Sequence, residues 1–298
     1  MPQRITASPF FRPDTAELRY LPESPRIVDG RLYWVSIQYG PDSRQGGLNV
    51  LDIATRTNRH HPLPGRPGFI ADTGQPGELL IGLENRLVRY NMPARQVTAT
   101  LATIPDNPRV IMNDGIAIPG GVIFGTKDVQ FADPIAALYH YDFAAAELRE
   151  LRGGQVCSNG KLLRDGKLID IDSQPRTITE YRYDGALHEL RLIKPPDSLP
   201  AIPDGMRPAP DGASIVVAFV NTDARQAGLA QQIRISDGEV LAEWIFPGAP
   251  RVTCPELGTL DGEPCWFFTT AAEGLKDDEL PLAPHAGTIF VAPATSAR

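Results

Sequence analysis

Residues 113–126 read NDGIAIPGGVIFGT: an Asn-Asp-Gly step, a Gly-Gly turn, then an apolar run ending Phe-Gly-Thr. Taken alone, Asn-Asp-Gly is turn chemistry, because all three residues tolerate tight or left-handed backbone. Two other stretches share the plan, SNGKLLRDGKLIDID from Ser158 and PDGMRPAPDGASIVVAF from Pro203. Each runs Asn or Asp, then Gly, then a second turn, then an apolar strand. Their leading glycines are Gly115, Gly160 and Gly205, so the interval is 45 residues both times. The same interval, carried outward, reaches RPGFIADTGQPGELLIGL and ESPRIVDGRLYWVSI on one side and VTCPELGTLDGEPCWFFTTA on the other. Six registers fit.

A repeat of about 45 residues holding several short strands has the size of one four-stranded propeller blade. The remainder of each unit supplies the outer strands, as in GGLNVLDIATRTNRHHPL, NRLVRYNMPARQVTATLA and AQQIRISDGEVLAEWIF. The 29 Pro and 27 Gly are spread along the whole chain, and the runs between them are strand-length and bounded by turn residues. Only DPIAAL and KDDELP offer short helical candidates. The pattern predicts an all-β fold: a single six-bladed β-propeller over residues 1–298 with four-stranded antiparallel blades, residues 1–16 forming an N-terminal extension. ELRYLP is expected to lie beside GTIFVAPA, so that N- and C-terminal strands pair and close the ring without an open edge. A pair of β-sandwiches fits the even interval less well.

The bulk numbers narrow the partners. Net charge is -7 over 298 residues, which argues against phosphate-backbone binding and against an anionic membrane surface. No window approaches the roughly 20 apolar residues of a membrane span, and the first residues have no signal-peptide core. The expectation is a cytoplasmic protein, a monomer or weak homodimer, with a small-molecule substrate and neither nucleic-acid nor membrane partner. Cys157, Cys254 and Cys265 are too few and too odd in number for a disulfide framework. Free buried thiols are the preferred reading over a Cys254–Cys265 bridge.

In a propeller the inner strand of each blade lines the axial channel, and its first residues stand at one mouth. That gathers Glu23, Asn113 or Asp114, Asn159 and Asp204, which are far apart in the chain. Carboxylates brought together repel one another unless neutralised. With oxygen donors alone, a hard divalent cation such as Ca²⁺, Mg²⁺ or Mn²⁺ suits the set better than a structural zinc. Asx-Gly also recurs in propellers for purely structural reasons, so spacing alone leaves both readings open.

Five segments in order resemble the SMP-30/gluconolactonase/luciferin-regenerating enzyme family of six-bladed propellers, over nearly the whole chain. They are LPESPRIVDGRLYWVSI, NDGIAIPGGVIFGT, SNGKLL, PDGM and TTAAEGLKDDELPLAPHAGTIFVAP. The resemblance implies that Glu23, Asn159 and Asp204 bind one divalent metal ion, Ca²⁺ first and Mn²⁺, Mg²⁺ or Zn²⁺ as alternatives, with Asn113 near the substrate. It implies metal-dependent hydrolysis of a lactone, with Asp204 as general base. No Gly-x-Ser-x-Gly elbow competes, and His60, His61, His140, His188 and His285 lie away from the repeated position.

The chain also departs from the family. Where sugar lactonases of the family often carry an Arg two residues before the Asn of Asn-Asp-Gly, Ile111 stands here, with Arg109 the nearest arginine. Ser36 replaces an Asp often found in the first inner strand, and GTKDVQ offers Lys127, Asp128 and Gln130 where an acidic pair is common. Loss of a guanidinium removes charged hydrogen bonds and predicts a greasier pocket, hence a substrate other than an ordinary aldonolactone: a less polar or larger lactone or ester. The altered wall also keeps a non-catalytic propeller in view, holding a structural ion and binding a small ligand or partner. A different reaction at the same metal is a minor third reading.

Overall fold

The computed structural model describes residues 2–294. Its strands form six sheets: five of four strands and one of five. The repeats found by interval are the two inner strands of successive blades. Blade 3, for example, runs outward through Val110–Ile118, Gly121–Asp128, Ala136–Asp142 and Glu147–Gln155, all antiparallel. The inner strands Pro22–Val28, Pro67–Asp72, Val110–Ile118, Ile202–Pro208 and Val252–Leu260, with Ser158–Arg164 between the third and fourth of these, pack in sequence order around the axis. The last closes against the first. This is a six-bladed propeller.

One apolar cluster lies between each pair of neighbouring blades. Trp244, Phe246, Trp266 and Phe290 fill the space between blades 5 and 6, and Phe69, Met112 and Phe124 that between blades 2 and 3. A strand held between two such layers is buried on both faces, so it reads as a continuous apolar run rather than an alternating one. SIVVAFV at Ser214–Val220 is buried along nearly its whole length for this reason. The outermost strand of blade 2, Gln96–Thr103, has one face free and alternates.

Ring closure is by the chain ends, but ELRYLP is not the closing strand. Ser8–Phe11 pairs antiparallel with Ile289–Pro293 as the fourth strand of blade 6. Gln3–Thr6 adds a fifth, parallel strand to blade 5 beside Val240–Phe246. The expected extension is therefore part of two blades. Ala16–Tyr20 is a one-turn helix, capped by Thr15 Oγ1, which accepts from the Leu18 N–H at 3.4 Å. It lies on the connection between the outer strand of blade 6 and the inner strand of blade 1. The helical reading of DPIAAL is also corrected, since Ala136–Asp142 is a strand whose early residues pack into the apolar clusters flanking blade 3. KDDELP keeps a single 3₁₀ turn, Leu280–Leu282. All three cysteines are free and buried. No helix among the described residues is long and apolar enough to cross a membrane.

Candidate functional site

The Asn-Asp-Gly step is not a turn. It lies inside the strand Val110–Ile118, where pairing with the next strand skips from Met112 to Gly115 and leaves Asn113 and Asp114 unpaired. The same bulge recurs in every blade: between Ser158 and Lys161, Pro203 and Met206, Glu23 and Arg26, Pro67 and Phe69, and Val252 and Cys254. A bulge bends the strand and re-aims a side chain that would otherwise lie in the ladder. Here it turns Asn113, Asn159 and Asp204 to one axial cavity. Glu23 stands one residue before its bulge, and the left-handed Ser24 (φ 50°) that follows belongs to the bulge proper.

The glycines serve closeness, not turning. A Cβ on Gly160 would lie 2.6 Å from the Met206 backbone nitrogen, and one on Gly205 2.5 Å from Cys254 Sγ. Neighbouring inner strands touch at these points, so only hydrogen fits.

The cavity has a volume of about 190 Å³ and is lined by Glu23, Asn113, Lys127, Asn159 and Asp204. Its apolar wall is Leu21, Ile37, Phe131, Ile202 and Val220, and Arg251 and Glu273 complete a second polar edge. A larger groove, about 850 Å³, opens beside the hairpin turns of blades 1 and 2, at the other end of the strands. Glu23 and Asp204, two carboxyls raised by burial and without an ion pair among the described residues, both line the axial cavity, so that is where the chemistry is sought.

Burial pushes the Glu23 carboxyl up to about 8, with the neighbouring Asp114 charge adding to the effect. Asp204 is raised by burial and then by Glu23 itself. These are the marks of like charges confined together. Glu23 Oε2 accepts one backbone hydrogen bond, from Ser24 at 2.7 Å. Among the described residues no group of three or more His, Cys, Asp or Glu is disposed to hold a metal ion. Two carboxylates and an amide oxygen are the donors offered.

A relay of hydrogen bonds ties three blades together at the mouth. Asn113 Nδ2 donates to Asn159 Oδ1 at 3.0 Å, Asn159 Nδ2 to Ser173 Oγ at 2.8 Å, and Ser173 Oγ to the Pro203 carbonyl at 2.7 Å, next to Asp204. Ser173 carries no motif and was not expected. Nor were Arg251 and Glu273, which stand just outside the inner strands of blade 6, at a bridge and in a turn, with no Asx-Gly signal beside them. Lys127 was noted only as a departure.

Three expected substrate neighbours do not line the cavity. Ile111 is buried opposite Lys127 in the blade 3 hairpin. Arg109 is committed elsewhere, its Nη2 donating to Asp128 at 2.5 Å and Asp133 at 2.7 Å and its Nε to Asp128 at 3.1 Å. Asp114 turns from the mouth; its Oδ1 accepts from the Gly115 N–H at 2.7 Å, and its Oδ2 is sealed without a partner. Nearby, Lys161 and Asp170 form a buried ion pair at 3.1 Å. The histidines stand off the mouth as expected, with His60 bonded to Tyr39 and His140 to Tyr183.

The profile of the SMP-30/Gluconolactonase/LRE-like region matches residues 21–271. The chain belongs to this family. Over 268 residues it is 30% identical to L-arabinolactonase of Azospirillum brasilense, covering 88% of this chain and 83% of that protein. In fold it is similar to regucalcin of Agrobacterium tumefaciens, described as a calcium-binding protein, with a TM-score of 0.82 and 20% identity over 98% of this chain and 95% of that one. It is also similar to a luciferin-regenerating enzyme, with a TM-score of 0.78 and 20% identity over 96% and 95%.

Proposed function

We propose that this protein hydrolyses a lactone in the axial cavity, with a divalent cation held by Glu23, Asn159 and Asp204. The observation that carries the reading is the confinement of Glu23 and Asp204, each raised by burial and by neighbouring carboxylate charge, beside an amide oxygen. Such a pair stays protonated unless a positive charge joins it, so the donor set fits a hard cation. Ca²⁺ is the first choice. The similarity to an arabinolactonase supports the reaction class.

When bound, such an ion supplies Lewis acidity towards an ester carbonyl. The residues of the chain supply the rest. Asp204 accepts the proton of the attacking water, which adds to the carbonyl carbon; the ring C–O bond then breaks, and the proton passes to the departing alkoxide. The product is a hydroxy acid. Asn113 places an amide at the reacting end, while the relay through Ser173 fixes Asn159 and the backbone beside Asp204. Leu21, Ile37, Phe131 and Val220 exclude water around the ring. Position 111, next to the cavity rather than on its lining, offers no guanidinium, and the cations on the lining are Lys127 and Arg251 instead; the preferred lactone is therefore read as other than an ordinary aldonolactone.

Turnover of a lactone panel with Ca²⁺, Mn²⁺, Zn²⁺ or EDTA, in wild type and Asp204→Ala, tests this. Metal-dependent turnover lost in the variant is expected. Metal-independent turnover that survives the substitution contradicts it, and ligand capture without turnover favours a binding propeller.

A further inference from the structure

One group on the cavity wall has no part in the reaction just described. Lys127 is only 5% exposed and lines the cavity. Among the described residues its ammonium makes no hydrogen bond or ion pair; the Phe131 ring lies 5.5 Å away. Glu23 and Asp204 both feel its charge, yet neither is in ion-pair contact with it. Burying an ammonium unpaired is costly. Lys161, equally buried in blade 4, shows the usual remedy: its Nζ lies 3.1 Å from Asp170 and donates to Ser158 Oγ at 2.9 Å. Lys127 faces open cavity instead.

Two further observations point the same way. Lys127 pairs with Ile111 across the blade 3 hairpin, so a cation stands on the strand next to the position where an arginine was looked for. Arg251 is a second cation on the lining, donating through Nη2 to the Gly274 carbonyl at 3.2 Å while its Nε has no partner. The lining carries three carboxylates, Glu23, Asp204 and Glu273, against these two cations. With a divalent ion the lining taken alone carries one positive charge in excess, and Asp114, whose charge reaches Glu23 and Asp204 from outside the lining, is a fourth carboxylate nearby.

We propose that Lys127 binds an anionic group on the substrate, which makes the substrate class a lactone bearing a carboxylate on its ring. This deepens the lactonase reading and rests on it for the word lactone. The ammonium is a point charge with three donors, and a carboxylate reaching it is held by charge-assisted hydrogen bonds.

The test uses an inert probe as well as turnover. Binding of tetrahydrofuran-2-carboxylate and of its neutral carboxamide to the Ca²⁺-loaded protein is measured by calorimetry for wild type, Lys127→Met and Lys127→Arg. Wild type should prefer the carboxylate on the order of tenfold or more, the scale of one charged hydrogen bond. Lys127→Met should abolish that preference and Lys127→Arg should keep most of it; if the Met variant does not fold, Lys127→Gln is read in the same way. A preference that survives removal of the ammonium overturns the assignment, as does failure of wild type to bind the carboxylate. Absent lactone turnover with the preference intact strikes the reaction and spares Lys127. Turnover of neutral and carboxylate-bearing lactones at equal rates, with no probe preference, strikes Lys127 and spares the reaction.

Discussion

Asn113 and Asn159, 46 residues apart and in adjacent blades, are joined at 3.0 Å by a hydrogen bond from one amide to the oxygen of the other. The bond fixes which way the Asn159 oxygen points, and that oxygen is a proposed ligand. Groups that orient a ligand typically contribute 10- to 100-fold in metal affinity. Asn113→Ala should therefore weaken Mn²⁺ binding on the order of tenfold while the melting temperature of the metal-free protein changes little. Calorimetric titration reads the first and a thermal melt of chelator-treated protein the second.

Glu23 gives the metal-free protein an inverted pH dependence. Its native carboxyl is raised to about 8 from an ordinary 4.5, so between those values the native state binds more protons than the unfolded one. Stability is then fully present below the lower value and falls as pH rises through the upper one. Melting of chelator-treated protein should decline from pH 5 to pH 8, and Glu23→Gln should flatten the decline. A rise over that interval would show that Glu23 is ionised without help.

Chelation should lower the melting temperature at pH 8 more than at pH 5, because at low pH protons already neutralise Glu23 and Asp204. A cation at 100 times its dissociation constant contributes about 2.7 kcal/mol by mass action. Differential scanning with and without EDTA reads the difference.

Arg109 tests a position that looks functional in the sequence. It clamps Asp128, whose side chain is fully buried and held well below the usual carboxylate range by this pairing and three backbone N–H groups. Arg109→Ala should destabilise the fold by roughly 2 kcal/mol, the scale of a buried acceptor losing a charged partner. Metal affinity should stay as it was. A loss of affinity would place Arg109 at the cavity after all.

The 45-residue interval made the blades legible because each blade repeats one structural demand: a bulge where the inner strand meets its neighbours. What the interval obscured was the meaning of the glycines. Gly160 and Gly205 read as turn residues, yet their function is to let adjacent strands touch. Gly160→Ala should cost about 2 kcal/mol or more by overpacking, as denaturant midpoints would show.

Glu23, Asn159 and Asp204 all line one cavity, Asn159 and Asp204 from within the repeated bulge and Glu23 from the residue before it. Arg109, Ile111 and Asp114 were placed by sequence proximity, and strand geometry separates what proximity joins. Asp114 shares the bulge with Asn113 but closes onto the Gly115 N–H instead of the cavity, and Arg109 is drawn away by Asp128 and Asp133. Ser173 and Arg251 had no signal to give. Each reaches the mouth from outside the repeated step, and a lone Ser or Arg there carries no spacing. The closing strand was misplaced because Ser8–Phe11 is as short and apolar as ELRYLP, and only the Thr15 cap separates the helix from the strand.

The central claim is that three residues from three blades hold one cation. Its most direct test is calorimetric titration of chelator-stripped protein with Mn²⁺, comparing wild type with Glu23→Gln and Asp204→Asn. One site per chain in wild type, lost or severely weakened in both variants, is the predicted result. Binding that is absent in wild type, or unchanged in either variant, would contradict it.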